Sequence, residues 1–306
     1  MRTEETALVL FTILGQMAVG SFVILGIVHW WAVGRYGTAK ADKLADYALL
    51  AIGPVMILGM LASLLHLGNP VNAYRAVLHV GTSWLSREIL LGSLFAALGA
   101  LFALLQWFKI GSTILRGVLA VIAAGVGLAF VFAMARVYQL PTMPAWNTWT
   151  TTASFFVTTF LLGALAMMAA YVLSYLYLRN KDAEDVAGLR DMLGNVLRSL
   201  SVATLALLGI ELVIVALGVV GLSRGPLEAI QSANLLATEF LSLFATRLIL
   251  VLLGAGLFAF LLYRSARDLN RERAAFALVF AAFAFVLVGE AIGRYLFYVT
   301  SVKIGL

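Results

Sequence analysis

The chain has 306 residues, of which 63% are hydrophobic and only 12% charged. A soluble domain carries about a quarter charged residues, so the outer surface is read as facing lipid. The formal charge of +6 comes from basic residues lying between apolar runs, which points to membrane topology and away from a nucleic-acid partner. With no cysteine, disulfides, Cys-ligated zinc and Cys-ligated iron–sulfur clusters are excluded.

A membrane-spanning helix needs about 20 apolar residues. Eight runs qualify, over residues 7–33, 47–66, 89–108, 117–135, 151–178, 199–222, 240–263 and 274–299. They are continuously apolar and do not alternate with period two, so helices are predicted and not a barrel. The expected fold is all-α: one integral membrane domain over 1–306, a polytopic bundle of eight transmembrane helices. Glu4 and Glu5 spoil the basic leader of a signal peptide, and the first apolar run is too long for one. That run is read as a retained first helix. With these boundaries, only the last three spans contain an acid or an arginine.

The connections set the orientation. Arg35, Lys40, Lys43, Lys109, Arg116, Arg179, Lys181, Arg190, Arg198, Arg264, Arg267, Arg271 and Arg273 lie in or beside the first, third, fifth and seventh connections. The other side holds eight: Arg2, Arg75, Arg87, Arg136, Arg224, Arg247, Arg294 and Lys303. The positive-inside rule puts the richer side in the cytoplasm and both termini outside. Four of the five prolines fall in the outer connections 67–87, 138–150 and 223–239. These stretches are expected to be ordered surface structure. Pro141, Pro144, Trp146 and Trp149 suit either an interfacial aromatic belt or a docking surface and pocket lid.

Ionisable groups inside a span are costly and mark function by default. On this topology Gln16, His66, Arg87, Glu88, Arg136, Arg247, Glu290 and Arg294 gather in the outer half, with Glu211 near mid-depth. Plain structural readings stand beside the functional one. Glu290 and Arg294 are four apart, share a helix face and can pair. Of Arg87 and Glu88, one can reach the interface while the other faces inward. His29, beside Trp30 and Trp31, reads as part of an aromatic belt. His79 reads as a surface residue, and Gly59, Ala62 and Ser63 as a small face for close helix packing. The three histidines lie at different depths, so they offer no bis-His haem site.

Four stretches carry a family resemblance: LFTILGQMAVGSF at 10–22, SLLHLGNPVNAYRAVLHVGTSWLSREIL at 63–90, ARVYQLPTMPAWNTWTTTASFF at 135–156 and VGEAIGRYLFY at 288–298. In this order they resemble the membrane anchor subunit of anaerobic dimethyl sulfoxide reductase, and the SLLHLG…SREI combination is the most specific part. The resemblance implies eight helices of a cell inner (cytoplasmic) membrane, no haem, and one quinol site. It implies an iron–sulfur electron-transfer subunit and a molybdopterin catalytic subunit as partners, so the chain itself is not the catalytic subunit. It carries the quinol-oxidising role onto His66 and Glu88, with menaquinol or menaquinone as bound substrate. Arg87, Arg136, Tyr138 and Arg294 are the expected supporting residues. Two other functions remain open: a quinone-reducing anchor of a sulfite-oxidising complex and a membrane transporter. Against the transporter, only Pro54 interrupts a span, and the charges gather at one side.

Overall fold

A computed structural model describes residues 3–66, 79–181, 185–266 and 272–305, without the side chains of 3–5 and 64–66. Helix α1 (Thr3–Tyr36) is followed by α2 (Thr38–Leu49), α3 (Ile52–His66), α4 (Trp84–Trp107), α5 (Thr113–Tyr138), α6 (Trp149–Lys181), α7 (Val186–Ser223), α8 (Leu227–Ala237) and α9 (Leu241–Val251). A π-helical segment (Leu252–Phe258) leads into α10 (Ala259–Ser265), and α11 (Glu272–Val299) closes the order. Among the described residues there is no strand, and eight spans are long and apolar enough to cross a membrane. The all-α bundle of eight spans is therefore as the apolar runs predicted.

The second span differs in detail. It begins at Thr38, not at residue 47, and is built from α2 and α3. Pro54 explains the break: it has no N–H for the Leu50 carbonyl, and its ring crowds that carbonyl. The backbone passes the break with tight bonds from Leu50 N to Tyr47 O (3.3 Å) and Ala51 N to Ala48 O (3.2 Å). The earlier start brings Lys40, Asp42, Lys43 and Asp46 into the span, and the third span, starting at Trp84, takes in Arg87 and Glu88. Acids and arginines are thus not confined to the last three spans. Between α1 and α2 the turn rests on Gly37 at φ 81°, a left-handed conformation that favours glycine.

α1 and α6 form the centre of the bundle and are its most buried spans. They cross where glycine meets glycine. A Cβ on Gly20 would strike the Thr159 carbonyl, and one on Gly163 would lie 2.7 Å from Gly20 Cα and Ser21 N. Backbones that close gain packing contacts that lipid does not provide. α3 packs on α1 through the expected small face: a Cβ on Gly59 would sit 3.3 Å from Leu14 Cβ and 3.4 Å from Gly15 N. α4 and α5 form a neighbouring pair locked by Phe95 and Phe130. A Cβ on Gly127 would lie 2.9 Å from the Phe95 ring, and one on Gly92 2.9 Å from the Phe130 ring.

The helix starts are set by side-chain caps. Ser83 accepts from Ser86 N (3.3 Å) and Ser112 from Leu115 N (3.1 Å). Asp185 accepts from Gly188 N (3.2 Å) and pairs with Lys40 (2.7 Å), tying α7 to α2. The hydrogen bond from Lys40 and that from the Gly188 backbone hold its carboxyl below the usual carboxylate range. Two of the connections expected on the outside are ordered: α8 occupies one, and 139–148 is tied down by Ile304 N to Thr142 O (3.0 Å). Val302 N also bonds the Ser232 hydroxyl (3.2 Å), fixing the C-terminal residues to α8. Residues 67–78, in the other expected outer connection, lie outside the described residues.

Candidate functional site

The Ser83 cap starts α4 just ahead of Arg87 and Glu88, and the helix sends the two side chains apart. Glu88 is 4% exposed. Arg87 reaches back into the preceding loop, donating to Val80 O and Gly81 O (both 2.8 Å), with its guanidinium 4.3 Å from the Trp84 ring. Arg136, at the end of α5, lies 5.2 Å from the same ring and donates to Gln139 Oε1 (2.7 Å). Gln139 in turn donates to Thr148 O (2.6 Å). Arg87 and Arg136 thus clamp the loops around Trp84.

Behind Glu88 the ends of α1, α5, α6 and α11 converge. Glu88 lies in the first turns of α4, which packs along α5, the helix that ends at Tyr138. Tyr298 donates to Tyr138 at 2.9 Å. Arg294 is 5% exposed, donates to Gln16 Oε1 (3.2 Å) and lies 3.7 Å from the Phe155 ring centre. Gln16 spans to α5 through Met134 Sδ (3.7 Å). Trp146 stacks on Phe297 (5.2 Å, 17°) and donates its indole N–H to Phe297 O (2.7 Å). The loop tryptophan is therefore built into the site wall, whereas Trp149 is 63% exposed.

On the far side of Arg294 is a second polar group. Arg247 of α9 stands between Glu211 of α7 (3.0 Å) and Glu290 of α11 (3.6 Å). Thr158 donates to Glu290 Oε2 (2.6 Å). Gly293 makes the room: a Cβ there would overlap Arg247 Nε and lie 2.7 Å from its Cζ. A cavity of about 170 Å³ opens onto Thr158, Arg247, Glu290 and Arg294, with Trp146 and Phe297 in its wall. Among the described residues the Nε groups of both arginines are buried without a partner, so each has a donor left for a ligand oxygen. The π-helical segment begins one turn after Arg247, and such irregular turns recur at functional sites.

Of the expected set, Tyr138 and Arg294 stand at the converging helix ends, Glu88 is buried at the start of α4, and Arg87 and Arg136 turn to the loops. His66 ends α3, but its side chain lies outside the described residues. Glu290 and Arg294 do not form the ion pair their spacing allows. Glu290 takes Arg247 and Thr158, because α9 and α6 present these directly to it, and Arg294 turns to Gln16 and Phe155. Sequence reasoning missed Thr158, Tyr298 and the Trp146–Phe297 contact. Threonine and tyrosine in an apolar run carry no signal until a partner helix is placed.

His29, read as part of an aromatic belt, also has a side-chain partner. Its Nε2 is 2.7 Å from Asp42 Oδ1, at the end of α1 away from Glu88, while neighbouring Trp30 is 80% exposed. Among the described residues no group of three or more His, Cys, Asp or Glu could hold a metal ion.

Eight apolar spans enclosing a polar pocket at one end define a multi-pass inner-membrane protein. The chain belongs to the DMSO reductase anchor subunit (DmsC) family, whose profile matches residues 1–299. It is 30% identical over 309 residues to a chain of the anaerobic dimethyl sulfoxide reductase of Escherichia coli K12, covering 99% of this chain and 97% of that one. It is 31% identical over 312 residues to another anaerobic dimethyl sulfoxide reductase chain of that organism, YnfH, with the same coverage of 99% and 97%. It is also 30% identical over 192 residues to a subunit of the sulfite dehydrogenase of Allochromatium vinosum, covering 58% of this chain and 57% of that one. As an anchor subunit it is a membrane component and not the catalytic part of its oxidoreductase.

Proposed function

We infer that the chain oxidises menaquinol at the end of the bundle holding Glu88 and passes the electrons to an iron–sulfur partner subunit. That partner serves a molybdopterin catalytic subunit of dimethyl sulfoxide reductase type. The observation that carries the reading is the family match over residues 1–299, joined to the buried Glu88 at the start of α4 and to the Tyr138–Tyr298 pair and Arg294 at the converging helix ends. Quinol oxidation releases two electrons and two protons. The chain has no cysteine to ligate an iron–sulfur cluster, so its own residues bind the ring, orient it and take the protons. His66 suits the first proton because the ordinary histidine pKa lies near neutrality. Glu88 takes the second and relays it to water. Tyr138, Tyr298 and Arg294 hold the ring and carboxylate in register, and both termini face the outside.

The test is a donor comparison on the protein purified with its partners. A menaquinol analogue is expected to drive sulfoxide reduction, and a quinol-site inhibitor to stop it without slowing reduction from an artificial soluble donor. Equal inhibition with both donors would remove the quinol reading. The partial match to a sulfite dehydrogenase subunit favours one rival, a quinone-reducing anchor. It predicts sulfite-driven quinone reduction in the same preparation.

The orientation has its own check. Reporter fusions after Lys43, Lys181 and Arg271 are expected to read cytoplasm, and a fusion at the C-terminus to read outside. The reverse pattern would put the proposed quinol site at the wrong face.

A further inference from the structure

The end of the bundle away from Glu88 holds a larger cavity, of about 490 Å³, between α1, α2, α4 and α5. Its polar end is a closed network. Asp42 Oδ1 meets His29 (2.7 Å) and Gln106 (3.4 Å), and Oδ2 meets Lys109 (2.9 Å). Asp46 Oδ1 accepts from Gln106 (2.9 Å) and Oδ2 from Lys109 (2.7 Å). Burial pulls the Lys109 amine down, but its bonds to the two carboxylates outweigh this and hold it above its ordinary value. Each carboxylate oxygen therefore already has a donor.

Arg116 of α5, at the same end, is different. It is 9% exposed and lines the cavity, and its hydrogen bonds run from Nη1 to Gly111 O (2.9 Å) and Ile110 O (3.5 Å). Among the described residues its buried Nε has no partner, and no carboxylate forms an ion pair with it. A buried charge is ordinarily paired. The unused Nε edge of a guanidinium is one that takes two oxygens of an anion side by side. From this polar end the cavity runs along an apolar wall that includes Phe22, Phe102 and Val121. Two glycines keep it open: a Cβ on Gly26 or Gly117 would meet nothing within 4 Å.

We propose that this cavity is a phospholipid site, in which the guanidinium of Arg116 binds the phosphate head and one acyl tail fills the apolar wall. Two features select this occupant. The unpaired cation calls for one negative charge with two oxygens, and the long apolar wall inside the spans calls for a hydrocarbon tail. A free phosphate satisfies the first alone and a neutral diacylglycerol the second alone. The site is separate from the proposed quinol site and does not depend on it.

The purified full-length protein, stripped of lipid in detergent, is titrated with phosphatidylglycerol, with diacylglycerol of the same acyl composition and with inorganic phosphate, and read by native mass spectrometry. One phosphatidylglycerol is expected per protein molecule, held about tenfold or more tighter than the diacylglycerol. Arg116→Gln is expected to weaken it by about tenfold or more, the scale of a charge-assisted hydrogen bond. Arg116→Lys, which keeps the charge but loses the fork, is expected to fall between. Gly117→Leu fills the cavity with Arg116 intact and is expected to lose both lipids, which keeps the test decisive if Arg116→Gln does not fold. Equal binding of the two lipids, an unchanged Arg116→Gln, undiminished lipid in Gly117→Leu, or displacement by millimolar inorganic phosphate would each overturn the proposal.

Discussion

Replacing His66 with Leu is expected to lower quinol-linked turnover by about 10²–10⁴-fold, the scale of one general-base contribution, while the complex still assembles. The same complex is expected to keep its activity with an artificial soluble donor, because the catalytic chemistry lies in the partner subunits. Glu88→Lys is expected to block quinol-linked turnover, since it puts a cation at a position only 4% exposed. Glu88→Gln keeps the shape and hydrogen bonding and loses only the proton step, so its defect is expected to be milder. Each variant is purified with its partners and assayed with both donors. Full quinol-linked turnover in His66→Leu would remove that residue from the mechanism. A parallel fall in both activities would make it an assembly residue.

The second large effect is structural. Gly163→Leu is expected to leave no folded protein, because α1 and α6 touch backbone to backbone at Gly20 and Gly163. Even Gly163→Ala places a Cβ 2.7 Å from Gly20 Cα and is expected to cost about 1–3 kcal/mol, the usual scale of overpacking. The control is Gly209→Ala in α7, where a Cβ meets nothing within 4 Å. There the gain in helix propensity, up to about 1 kcal/mol, is expected to leave stability unchanged or slightly raised. Thermal unfolding in detergent separates the three. Equal midpoints for Gly163→Ala and Gly209→Ala would show that the crossing relaxes at no cost.

The placing of Gln16, Glu88 and Arg294 toward one end was legible because depth along a helix is a matter of counting at about 1.5 Å per residue. Once the spans were placed, Glu88, Arg294 and Gln16 had to lie near the same end. Their partners were not legible in this way. Glu290 and Arg294 have the spacing of a pair on one helix. Arg247 and Thr158 nevertheless take Glu290, because they approach it from other helices at 3.6 and 2.6 Å.

By itself the sequence determined the class, the eight spans, the small face of α3 and the family, since each rests on composition, run length or contiguous residues. The break at Pro54 was also local, following from a missing N–H and a crowded Leu50 carbonyl. Only the tertiary structure decided which polar groups meet. It joined Glu211 to Arg247 across 36 residues and Gln16 to Arg294 across 278. Among the described residues it also left Arg116 without a counter-charge at the opposite end, although Asp42 and Asp46 line the same cavity. The reason is physical: helices in lipid are chosen by their apolar surfaces, while the few buried charges find whichever partners the packing brings within reach.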